Sequence, residues 1–72
     1  MALDKSEFAA RLEDAFRCQD RRIGEFSEAC GVSEDTIRRA MDARCSVFPN
    51  ISALAAMCEE LSISADWLLF GR

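Results

Sequence analysis

Four times along this chain a short polar residue, Asp4, Ser33, Asn50 or Ser64, stands ahead of a stretch whose apolar residues recur every three or four positions. Such side chains accept hydrogen bonds from the backbone N–H groups that a helix leaves open in its first turn, and the 3.6-residue period buries one face of the helix that follows. No segment alternates apolar and polar residues as a half-buried strand would. The chain is therefore expected to be all-α, a compact bundle of five helices.

The first helix should begin after Asp4, with Glu7 completing a capping box, and run to about Arg17 with Phe8, Leu12, Ala15 and Phe16 on its inner face. A second is expected from about Arg22 to Cys30, burying Ile23, Phe26 and Cys30 and stopping at Gly31, the residue best suited to a left-handed C-terminal conformation. Ser33 should cap a third, running to about Asp42 and burying Ile37, Ala40 and Met41. Residues 43–49 read as a loop. Asn50 then caps a fourth helix with Ile51, Leu54, Ala55 and Cys58 on its stripe, continued by Leu61 and Ile63. Ser64 caps a short last helix through Trp67, Leu68 and Leu69, ended by Gly71.

With 72 residues, half of them hydrophobic, the chain can close one modest core and is expected to form a single domain over residues 1–72. No apolar run approaches the roughly 20 residues of a membrane span, and a cytoplasmic location is expected. Cys18, Cys30, Cys45 and Cys58 are even in number, as in a disulfide framework, but Cys30 and Cys58 fall on apolar helical stripes where a free thiol acts as a small hydrophobe. Reduced cysteines are expected. Without histidine or a closely spaced cysteine pair, neither a metal site nor any other cofactor is indicated. The usual acid–base, nucleophilic and phosphate-loop arrangements are equally missing, so the chain is not expected to be an enzyme.

The formal charge of −4 opposes binding to nucleic acid. Its distribution softens that objection. Residues 17–44 hold six arginines (Arg17, Arg21, Arg22, Arg38, Arg39, Arg44) against six acids, whereas residues 45–71 hold only the acids Glu59, Glu60 and Asp66. Inside the mixed segment, "EACGVSEDTIRRAMDAR" joins two short helical patterns through a glycine, the arrangement of a helix-turn-helix whose second helix enters the major groove.

"GVSEDTIRRA", followed by "LAAMCEELSISADWLLFG", resembles the Cro and repressor helix-turn-helix family of the lambdoid bacteriophages, the N-terminal DNA-binding domain of phage repressors, over about residues 5–71. In that family the turn glycine, the next apolar residue and the cap stand as Gly31, Val32 and Ser33 do here. The resemblance implies a lambda-repressor-like fold and a sequence-specific transcriptional regulator of phage or prophage origin, working as a homodimer on a palindromic operator in double-stranded DNA. It puts Glu34, Asp35 and Arg39 at base-reading positions, with Arg38 beside them. Phosphate contacts are expected from Arg22 and Arg44, with Ser33 at the head of the reading helix. Departures are Ile23 in place of the usual glutamine, Ser27 in place of a small alanine, and two carboxylates where glutamines are common.

The pairs Glu34 with Arg38 and Asp35 with Arg39 each stand four apart with the acid first, the favourable order on a helix. They can simply stabilise an exposed helix, or hold a guanidinium for guanine O6 and N7 while a carboxylate accepts from cytosine N4. Trp67, Leu68 and Phe70 could supply a dimer contact, although Trp67 is also expected to close the core. The sequence fits both an N-terminal piece of a longer repressor and a small Cro-like protein. An alternative function is a helix-turn-helix fold used as a protein–protein interaction module or antitoxin, with weak or no DNA binding.

Overall fold

Helices form where the polar caps stand, and the computed structural model, which describes residues 3–72, contains five of them and no strand among those residues. Asp4 opens α1 (Lys5–Cys18), its Oδ1 accepting from the N–H groups of Ser6 at 3.0 Å and Glu7 at 3.3 Å. The Ser6 hydroxyl, donating at 2.7 Å, and the Glu7 N–H hold the Asp4 carboxyl below the ordinary aspartate range. The other half of the expected capping box is not made. Glu7 turns instead to Arg11, one helical turn on, at 3.5 Å.

At α2 (Ile23–Cys30) the reverse half is present: Glu25 reaches back and accepts from the Arg22 N–H at 3.0 Å. Gly31 ends this helix at φ 73°, a backbone that costs a side-chain-bearing residue strain. Three residues later α3 (Glu34–Ala40) begins, shorter at its C-terminus than the expected Asp42, with Met41 as its C-terminal cap. Asn50 caps α4 (Ile51–Leu61) through a 2.8 Å bond from the Ala53 N–H, and Ser64 caps α5 (Ala65–Phe70) through a 3.0 Å bond from Trp67. Gly71 closes α5 at φ 76°.

α1 packs on α5, α2 lies against both α3 and α4, and α4 meets α5. Phe8, Leu12, Phe26, Ile37, Met57 and Leu68 are wholly buried where these helices converge, each contributing about 1.5–3 kcal/mol of transfer energy. Ring contacts extend the core at both ends of α1, edge-on from Phe8 to Phe48 at 5.1 Å and tilted from Phe16 to Phe26 at 5.3 Å. Trp67, Phe16, Cys30 and Met41 are half-buried and pack against this centre.

Of the expected α4 stripe, Cys58 is buried and Leu54 packs against the core, with Leu61 buried beyond them, but Ile51 and Ala55 depart from it. Ile51 is 82% exposed and Ala55 is also on the surface, while Ala53, Met57, Cys58 and Leu61 face inward. "ISALAAMCEEL" carries apolar residues on several faces, so periodicity alone did not fix which one docks. The small Ala53 lies inward beside the Asn50 cap, and Met57 and Leu61 follow it at four-residue steps. The four cysteines are free. Burial pushes the Cys58 thiol up, away from the reactive thiolate. Among the described residues no helix is long and apolar enough to cross a membrane, and no cluster of potential metal ligands occurs.

Candidate nucleic-acid interface

α3 is short, and its position depends on what holds each end. At the head, Ser33 Oγ accepts from the Thr36 N–H at 3.2 Å and donates to Thr36 Oγ1 at 2.9 Å. The hydroxyl of Ser33, expected to meet a phosphate, is engaged within the cap with that of Thr36. Val32 plugs the turn, its carbonyl accepting from the Ser27 hydroxyl, and Ile37 anchors the inward face at zero exposure.

Both expected acid–base pairs form. Arg38 meets Glu34 at 3.0 Å, and Arg39 meets Asp35 at 3.3 Å. The pairs are not equivalent. Glu34 leans toward α2, with Oε2 only 3.5 Å from where a Cβ on Gly24 would stand, and it binds a terminal nitrogen of Arg38. Asp35 and Arg39 lie nearly opposite Ile37, about 70% exposed. Asp35 approaches Arg39 at Nε, the inner nitrogen of the guanidinium, and both side chains face solvent.

Arg39 also forms one wall of a cleft of about 170 Å³ between α3 and residues 47–50. Thr36, Ala40, Val47, Phe48, Pro49 and Asn50 line the rest, with Val47 69% exposed. Arg44 stands beyond the foot of α3, its side chain 94% exposed and 3.6 Å from Asp42. The Arg44 N–H donates to Asp42 at 2.9 Å, and this bond is the main reason the Asp42 carboxyl lies below the ordinary range. Arg22, at the entrance to α2, is exposed and makes no ion pair among the described residues.

The remaining arginines of this segment are neutralised: Arg17 by Glu13 at 3.5 Å and Arg21 by Glu60 at 2.9 Å. With the α3 pairs and Arg44, five of the six arginines in residues 17–44 have a carboxylate partner.

Sequence reasoning missed the residue that fixes the foot of α3. Lys5, on α1, is 8% exposed, and its ammonium donates to the carbonyls of Arg39 at 2.9 Å, Asp42 at 3.1 Å and Cys45 at 2.9 Å. All three of its protons are used. A cation at this end also meets the negative pole of the helix. Arg11 does the same for α5, donating to Leu68 O at 3.0 Å and Leu69 O at 3.2 Å. The partners lie 34 to 58 residues away, so no local pattern announces them; the one hint is that Lys5 is the only lysine in the chain.

In the segment expected to carry a dimer contact, Leu68 is wholly buried and so drops out of any surface patch. Phe70 is 39% exposed, with the Arg72 guanidinium 5.6 Å from its ring centre. Comparison with known proteins finds no relative: no family model, no curated protein and no solved structure matches this chain.

Proposed function

We propose that this chain is a sequence-specific DNA-binding transcriptional regulator of helix-turn-helix type, working as a homodimer on a palindromic operator. In this reading α3 enters the major groove with α2 lying across the backbone. Arg39 sets its two terminal amino groups against guanine O6 and N7 while Asp35, or Glu34 beside it, accepts from cytosine N4. Arg38 flanks that contact. Arg22 and Arg44 fix the register on phosphates, with Ser33 at the head of the reading helix. The observation that carries the reading is the Asp35–Arg39 ion pair at 3.3 Å on the exposed face of α3, opposite the buried Ile37.

A second reading has its own observation. Five neutralised arginines and the acidic residues 45–71 leave little free positive charge, as a surface for a protein partner would. Salt separates the two: four phosphate contacts per dimer give a log–log slope of about 3.6, at about 0.9 each, whereas an apolar protein contact barely responds.

Selection from a random duplex library at low salt, followed by sequencing of the retained DNA, tests the proposal. Enrichment of a palindrome with G·C pairs in each half-site, lost in Arg39→Ala, is the expected result. No enrichment by the folded protein, alone and fused to a dimeriser, overturns it.

A further inference from the structure

The foot of α3 and the loop after it form one bonded unit. The Asp42 N–H donates to Arg39 O at 3.3 Å, the Cys45 N–H donates to Asp42 O at 3.1 Å, and the Arg44 N–H donates to the Asp42 carboxylate. Lys5 closes this unit from outside by binding the carbonyls of its first, middle and last residues, Arg39, Asp42 and Cys45. Three carbonyls converging on one compact ammonium suit lysine; the planar fork of arginine presents its donors in one plane.

We propose that Lys5 is a positioning residue for the α3 surface, fixing the directions of Arg39 and Arg44 through their backbones while touching no ligand itself. Its functional consequence rests on the DNA-reading proposal, but the latch is a claim about the fold. Arg39 depends on it because the carbonyl of that same residue is one of the three bound. Arg44 depends on it because Asp42, two residues before it, and Cys45, the residue after it, are bound. Without the ammonium the last turn of α3 can fray into residues 41–45, and the two guanidinium groups lose their fixed separation. Contacts that need both groups in register suffer, whereas charge attraction to any phosphate does not.

The test compares the wild-type chain with Lys5→Met, which keeps the apolar stem, and Lys5→Arg, which keeps the charge. Amide hydrogen exchange at Asp42 and Cys45 should accelerate in Lys5→Met by about tenfold or more beyond any change at Phe26 and Met57, a sign of local opening rather than global weakening. Lys5→Arg should show a smaller acceleration at the same two amides, which keeps the test decisive if Lys5→Met does not fold. Affinity for the duplex enriched by the wild-type protein should fall by about three- to thirty-fold in Lys5→Met, with affinity for an unrelated duplex unchanged and Lys5→Arg in between. Uniform exchange across the chain, or none above wild type in either variant, overturns the latch. Local acceleration with unchanged specific affinity overturns the positioning role. Should the wild-type chain enrich no duplex, the DNA reading fails separately, and local exchange still decides whether Lys5 holds α3.

Discussion

At the head of α3 the cap is Ser33, and its partner Thr36 stands three residues on; at the foot it is Lys5, 34 residues upstream of the first carbonyl it binds. The first contact can form as soon as the segment takes its first helical turn. The second exists only once α1 has docked. The start of α3 is thus a property of its own sequence, while its end, with the direction of Arg39 and the loop carrying Arg44, is a property of the assembled domain.

Removing the distant contact should cost most. Lys5→Met is expected to lower unfolding free energy by about 2–4 kcal/mol, since it leaves three carbonyls short of a charged donor; a urea titration that found less than about 1 kcal/mol would erase the contrast between the two ends. Ser33→Ala should cost about 1 kcal/mol, with faster exchange confined to the first turn of α3. Spread of that change to residues 41–45 would mean that the ends are coupled after all.

Asp35→Asn should alter stability by less than about 0.5 kcal/mol, because the pair with Arg39 is exposed and salt-screened. A change in duplex preference at constant stability would then assign this pair to recognition rather than to helix support. The smallest effect concerns Asp42. Its carboxyl is held low by the Arg44 N–H, so the charged form is favoured in the folded state. The contribution is present above the ordinary aspartate range, near 4, and is lost as pH falls through the depressed native value. An NMR titration should show the Arg44 amide shifting with Asp42 below about pH 4, and Asp42→Asn should flatten it.

Much of the fold was legible because its determinants are local. Ser33, Asn50 and Ser64 cap the helices they precede, Gly31 and Gly71 end helices in left-handed geometry, and Phe8, Leu12, Phe26 and Ile37 lie on the expected faces. The ion pairs on α3 follow from four-residue spacing in the same way. What escaped was non-local or ambiguous. Ser62 ends α4 in a left-handed conformation at φ 57° without the glycine that would announce it. Ile51 faces solvent, and the apolar pattern of α4 is too broad for the sequence to have shown which face docks. The carbonyls that Lys5 and Arg11 bind lie on segments 34 or more residues away, so nothing local in α1 marks these two as caps.

Those two caps also bear on how the protein is made. α1 leaves the ribosome before the other four helices, yet the carbonyls that Arg11 binds belong to Leu68 and Leu69. Until they emerge, α1 has neither its partner helix α5 nor one of its two clamps, and its wholly buried Phe8 and Leu12 have no completed core to enter. Closure of the domain therefore waits for nearly the last residue described, and during translation the nascent chain presents an unshielded apolar helix of the kind that chaperones hold.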